Sequence, residues 1–212
     1  LHDPDTVYAV VDDHKSGDFA PHVFPSDDRG RTWTRISDGL PERHVVWRIV
    51  QDHVKPGLLF AATEFGVFCT IDAGVNWVQL AGRAPTIAFR DLAIQTREND
   101  LVGATFGRGF WIFDDYSPLR EVSEEQLQQE ATLFATRDAL WYLPKLPLGD
   151  FVEGGKASQG DEFFVAPNPP FGAVFTYSVA KEPAADAKLV LTIADETGRQ
   201  VRRIDLDKSV GL

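Results

Sequence analysis

The side chains able to do chemistry collect in a few short stretches. Asp12, Asp13, His14, Lys15 and Asp18 fall in one acidic run, Glu64 stands between Thr63 and Phe65, and Arg108 lies between Gly107 and Gly109. Glu42, Arg43 and His44 form a triplet, and Arg83 follows Gly82. Carboxylates, imidazoles and guanidinium groups meeting at one mouth can bind a sugar or a peptide, with arginine offering a planar fork to a carboxylate. The glycines beside Arg108 let the backbone approach closely and leave its side chain prominent, which makes it the best single candidate. Paired carboxylates would instead suit glycoside hydrolysis, where acid and nucleophile lie about 5 Å apart for retention and further apart for inversion. Raised pKa values at Asp12, Asp13 and Glu64 would favour hydrolysis, and carboxylates splayed into solvent would favour binding. No residue is singled out as catalytic.

Other chemistries lack their patterns. There is no Gly-x-x-x-x-Gly-Lys-Ser/Thr phosphate loop, no Gly-x-Ser-x-Gly elbow and no His-Glu-x-x-His pair. His14 and His22 flank one loop and could share a metal with Asp12 or Asp18, but solvated loop histidines are the simpler reading. Calcium in the acidic run from Asp12 to Asp18 has suitable oxygen donors at a spacing that fits no known loop. No cofactor is expected, with calcium the one open alternative.

The 212 residues carry 21 Lys plus Arg against 32 Asp plus Glu, a formal charge of −11, which argues against nucleic-acid binding. An apolar fraction of 43% with 15 Phe and 5 Trp is too rich for a disordered chain. No apolar run reaches the roughly 20 residues that span a bilayer. The chain starts at Leu1 and has no Met, so it reads as an excised or processed piece of a longer one. The lone Cys69, among Val67, Phe68 and Ile71, reads as a small buried hydrophobe.

A repeat must position the candidate side chains. Ser26-Asp27-Asp28-Arg29-Gly30-Arg31-Thr32-Trp33 and Thr70-Ile71-Asp72-Ala73-Gly74-Val75-Asn76-Trp77 both read Ser/Thr-x-Asp-x-Gly-x-x-Trp, 44 residues apart. A third unit, Asp100 to Asp115, keeps the strands and loses the Gly and Trp. A period in the mid-forties filled with short β-branched and aromatic runs is the spacing of a four-stranded propeller blade. Strands are expected at Val45–Gln51, Leu58–Thr63, Gly66–Ile71 and Trp77–Leu80, then at Ala88–Thr96, Leu101–Thr105 and Phe110–Phe113, giving about 2.75 blades. In each octet the Asp carboxylate and Ser/Thr hydroxyl hold turn backbone, Gly permits positive φ, and Trp buries its ring against a neighbouring sheet. Ser26, Asp28, Gly30, Trp33, Thr70, Asp72, Gly74 and Trp77 are therefore structural. Alternate antiparallel connections lie at opposite ends, so Asp12, Asp13, His14, Glu64, Arg108, Arg43 and Arg83 share the face away from the octets.

The two octets resemble the Asp-box, or bacterial neuraminidase repeat, of sialidase-like and sortilin-like propellers. The runs Ala62 to Phe68 and Thr105 to Asp115, then Ser117-Pro118-Leu119, resemble the last blades of bacterial Asp-box proteins, often labelled glycosyl hydrolase or sortilin-like. That resemblance implies boxes on the face away from a catalytic centre and a location that is secreted, periplasmic or on the cell surface. The arginine triad, Tyr-Glu pair and acid Asp of a sialidase have no position-by-position match here, and Phe106 stands where the pattern often has His.

Beyond 120 the pattern changes. Ser123 is an N-cap candidate for a short helix before Glu124-Glu125-Gln126, and Thr132–Thr136 and Ala139–Leu143 are expected to close against the last blade. Pro144 to Gly160 reads as a linker. Phe163–Val165, Ala173–Val179, Leu189–Ile193 and Val201–Leu206 read as strands, with a hairpin turn at Asp195-Glu196-Thr197-Gly198. This segment resembles the immunoglobulin-like β-sandwich modules that follow propellers, cut short of the usual seven strands. The expected organisation is thus propeller blades over 1–120, a connector over 121–160 and an incomplete sandwich over 161–212. Two functions follow: a module binding a glycan or peptide on its loop face, with the remaining blades of a parent chain as further partners, or a sialidase-like glycoside hydrolase.

Overall fold

The computed structural model describes residues 2–82, 84–141, 171–184 and 186–211. The chain divides into two compact units, Leu1–Gln128 and Gln129–Leu212. Both are built from antiparallel strands, and helix among the described residues is limited to two 3₁₀ turns and the short α1 (Glu124–Leu127). The all-β class expected from the sequence is the class observed.

The first unit is a series of antiparallel meanders. Strand β1 (Val7–Val10) pairs with β2 (Val23–Ser26), and the chain then runs back along β2, with Thr34 N–H donating to Pro25 O and Ile36 N–H to Val23 O. The second meander is four-stranded and sequential: β3 (Val46–Gln51), β4 (Leu59–Thr63), β5 (Gly66–Thr70) and β6 (Val78–Gln79). The third holds β7 (Phe89–Gln95), β8 (Asp100–Thr105) and β9 (Phe110–Phe113). Strands fall within a residue or two of the expected spans, and the architecture is that of a partial propeller.

Side-chain alternation explains the stacking. Strands β4 and β5 are buried throughout, since each of their faces meets a neighbouring meander. One face sends Leu59, Ala61 and Phe68 against Val23, Tyr8 and Val10 of the first meander. The other sends Leu58, Phe60, Ala62, Val67 and Cys69 against Phe89, Leu92, Leu101 and Tyr116 of the third. Cys69 is buried there, and burial pushes its thiol up to about 11.

The two octets fold alike. Ser26 Oγ donates to Asp28 Oδ1 at 2.8 Å and accepts from Gly30 N–H at 2.8 Å, while Asp28 Oδ1 accepts from Thr32 N–H at 2.8 Å. Thr70, Gly74, Asp72 and Asn76 reproduce this set at 2.6, 3.0 and 2.9 Å. Thr32 N–H, aided by the Thr32 and Ser26 hydroxyls, lowers the Asp28 carboxyl to about 2. The tryptophans differ. Trp77 is 7% exposed and its Nε1–H donates to Ile36 O in the first meander at 2.8 Å, as expected. Trp33 is 45% exposed and donates to Gly30 O of its own turn at 3.1 Å, because no described sheet precedes the first meander for it to pack on. The expectation that both rings are buried is corrected for Trp33.

At the octet end of the unit, a buried ion pair ties the meanders together. Asp52, wholly buried, accepts from Arg120 Nε at 2.9 Å and Nη2 at 2.8 Å, from Tyr116 Oη at 2.7 Å, and from the N–H groups of Val54 and Lys55. Arg120 also donates to Asn99 Oδ1 at 2.8 Å, in the β7–β8 turn. Burial alone would raise the Asp52 carboxyl, but Arg120, the two backbone donors and Tyr116 outweigh it and hold it far below the carboxylate range.

Ser123 caps α1, its Oγ accepting from Gln126 N–H at 3.3 Å, as the sequence predicts. In the second unit β10 (Ala131–Leu133) pairs with β11 (Tyr177–Val179), and β12 (Val190–Ala194) with β13 (Gln200–Asp205). Strand β10 overlaps the Thr132–Thr136 stretch expected from the sequence and takes its strand hydrogen bonds from β11. The predicted hairpin forms, with Asp195 Oδ1 accepting from Thr197 N–H and Arg199 N–H at 3.0 Å each. The predicted strand at Phe163–Val165 and linker at Pro144–Gly160 lie outside the described residues.

Candidate functional site

The β1–β2 loop, the β4–β5 and β8–β9 turns and the connections into β3 and β7 lie at one end of the first unit, opposite the octets. Glu64 N–H donates to Val45 O and Phe106 N–H to Ala88 O, which lock each turn against the connection into its own meander.

The inner strands reach that end through irregular pairing. In β3 and β4 the register steps from Val46↔Thr63 to Arg48↔Ala62, leaving Trp47 as an extra residue. In β7 and β8 it steps from Phe89↔Thr105 to Asp91↔Ala104, leaving Arg90 as the extra residue. Trp47 and Arg90 are 43 positions apart, so both bulges occupy one repeat position. A β-bulge re-aims the side chain it carries, and here two consecutive bulges turn Trp47 and Arg90 onto each other. The Arg90 guanidinium lies 3.7 Å from the Trp47 ring centroid and 5.4 Å from that of Phe106. Trp47 Nε1–H donates to Glu64 Oε2 at 2.9 Å, and Arg90 Nη2 is 3.8 Å from the same oxygen. The indole is thereby fixed from its edge and covered on its face.

Around this pair lies a cleft of about 300 Å³ lined by His14, Phe19, Arg43, Val45, Trp47, Glu64, Phe65 and Arg90. A second cleft, of about 520 Å³, takes Phe19 and Arg43 in common with it and adds Asp18, Arg35, Asp38 and Glu42 among others. Of the residues predicted for the site, the first cleft gathers His14, Arg43 and Glu64. Asp12 stands behind His14, 2.7 Å from its Nδ1, and Asp18 pairs with His22 at 2.8 Å. The His14 N–H, then its ring, hold the Asp12 carboxyl below its usual range, whereas hydrolysis wanted a raised one. Asp13 is exposed and bridges to Asp18 through backbone. Arg108 is exposed at its turn, its N–H donating to Thr105 Oγ1 at 3.2 Å, and it does not line either cleft. Arg83 lies outside the described residues. His14 and His22 bind different carboxylates, and among the described residues no group of three or more His, Cys, Asp or Glu is placed to hold a metal.

Trp47, Arg90, Phe19 and Phe65 also line the cleft and are not among the residues expected there from the sequence. Trp47 and Arg90 both lie within spans that read as strands, and the extra residue of a bulge shows only once the partner strand fixes the register.

No family model matches the chain, and no curated protein matches it. Among solved structures it is similar to an ancestral GH74 enzyme, at 20% identity and a TM-score of 0.38, over 49% of this chain and 15% of that one. It is also similar to YCF48 bound to a D1 peptide, at 21% identity and a TM-score of 0.33, over 45% of this chain and 30% of that one. The chain thus spans less than a third of either. The architecture rests on the strand order and register given above.

Proposed function

We propose that this chain is part of an extracytoplasmic Asp-box propeller that binds a glycan or protein ligand in the cleft around Trp47 and Arg90. The observation that carries the reading is the pair of bulges at one repeat position, which spend regular ladder pairing to aim an indole and a guanidinium into the same mouth. Aromatic and arginine side chains clustered in a concave site are the groups that dominate recognition surfaces. The Asp-box assignment is supported by the matching hydrogen bonds of the two octets, and the location outside the cytoplasm by the family resemblance alone. Glycoside hydrolysis is the less favoured reading, because Asp12 is held low and Glu64 is tied to Trp47.

Glycan and peptide arrays probed with the wild-type chain and with Trp47→Ala test the reading. A ligand retained by the wild type and lost by Trp47→Ala supports it. Binding unaffected by that change, or turnover of a fluorogenic glycoside that does not depend on it, overturns it.

A further inference from the structure

Arg43 joins the two clefts, and three observations concern it. Its backbone sits at φ 60°, a left-handed conformation uncommon for a long side chain and found where the surroundings impose it. Its guanidinium lies 5.1 Å from the Phe19 ring centroid, and among the described residues no carboxylate pairs with it. It lines both clefts together with Phe19, so an extended ligand crossing from one to the other passes over it.

The charges on the two sides differ. The aromatic cleft is lined by Arg43 and Arg90 and by the carboxylate of Glu64, with Asp12 behind His14. Arg90 has donors to spare, since Glu64 is 3.8 Å away, beyond hydrogen-bond length. The larger cleft holds Asp38 and Glu42, neither of which forms an ion pair among the described residues, beside Arg35. One face of Trp47 is covered by Arg90 at 3.7 Å and one face of Phe19 by Arg43 at 5.1 Å, and the His44 ring meets Phe65 in an edge contact at 5.1 Å. Cations in one cleft and carboxylates in the next suit a peptide, whose side chains carry charges of both signs.

Resting on the binding function proposed above, we infer that the two clefts form one groove for an extended peptide, with an acidic side chain held at Arg43 and Arg90 and a basic one beside Asp38 and Glu42. The net charge of −11 repels acidic ligands at long range, but salt screens that repulsion over about 8 Å, so the local cations decide at contact. Acidic and basic residues on the ligand fix its direction along the groove.

The test is a positional-scanning decapeptide library on the whole chain. It is followed by fluorescence anisotropy with the selected labelled peptide and its Glu→Gln and Lys→Gln analogues. The selected peptides are expected to carry one acidic and one basic residue at fixed separation. The Glu→Gln analogue is expected to bind about 10-fold more weakly, as for loss of one charge-assisted hydrogen bond. Arg43→Asn, chosen because Asn tolerates positive φ, is expected to weaken the parent peptide and to reduce the Glu/Gln difference, which is expected to vanish when Arg90→Gln is added. Glu42→Gln is expected to remove the Lys/Gln difference. Selection of neutral peptides, or tighter binding of a labelled oligogalacturonate than of any selected peptide in the same anisotropy assay, overturns the inference while Trp47-dependent binding keeps the functional reading. Loss of Trp47 dependence overturns both.

Discussion

Asp52 is the carboxylate that the fold can least spare. It is out of contact with water and holds Arg120, Tyr116 and two backbone N–H groups, so removing it leaves a largely buried guanidinium without its carboxylate. Asp52→Ala is expected to destabilise the first unit by about 3–5 kcal/mol, measurable by chemical denaturation. The pH dependence has a fixed sign. The folded pKa lies below the unfolded value of about 4, so the stabilisation is complete above that value and is lost as pH falls through the folded one. Between about pH 4 and pH 2 the wild-type melting temperature is expected to fall more steeply than that of Asp52→Asn, which lacks this titration. Parallel melting curves over that window would contradict the assignment. Nothing in the local sequence marked Asp52: its side-chain partners lie 64 and 68 positions away, and only the stacking of meanders brings them together.

The turns that join strands carry a separate prediction. Gly74 has φ +96°, and a Cβ there would sit 2.7 Å from Ile36 Cδ1 and 2.9 Å from Ile36 Cβ. Gly74→Ala therefore combines backbone strain with a clash in the contact that also seats Trp77, and is expected to cost about 1–3 kcal/mol in unfolding experiments. The same change at Gly107, also at positive φ but with nothing within 4 Å, is expected to cost less. Elements of this kind were legible in the sequence, because a hydroxyl, a carboxylate and a glycine at fixed spacing specify a turn without help from the rest of the chain. The strands and the loop end followed from the repeat, as did three of the cleft residues, His14, Arg43 and Glu64. The bulges were not legible, since an extra residue in a strand is visible only once the partner strand fixes the register. For the same reason Trp47 and Arg90 read as strand residues, while Arg108 is exposed at its turn, in keeping with its flanking glycines, and lines neither cleft.

At the scale of the molecule, the outward faces of the flanking meanders are apolar. Tyr8 and Val10 pack inward while Val7 and Val11 are exposed, and Trp111 and Phe113 pack inward while Phe110 and Ile112 are 77% and 55% exposed. Since the second meander covers both of its faces with neighbours of the same kind, these two faces suit each other, and the isolated chain is expected to self-associate at micromolar concentration. Sedimentation equilibrium checks this: Ile112→Lys is expected to shift the chain toward monomer, and a wild-type chain that stays monomeric would refute it. The central claim, that ligand binds where the two bulges meet, is tested most directly by backbone amide NMR during titration with an array-selected ligand. Shifts are expected to concentrate at Val45–Arg48, Glu64–Phe65 and Phe89–Asp91. Shifts confined to the octet turns at Asp28–Trp33 and Asp72–Trp77 would contradict it.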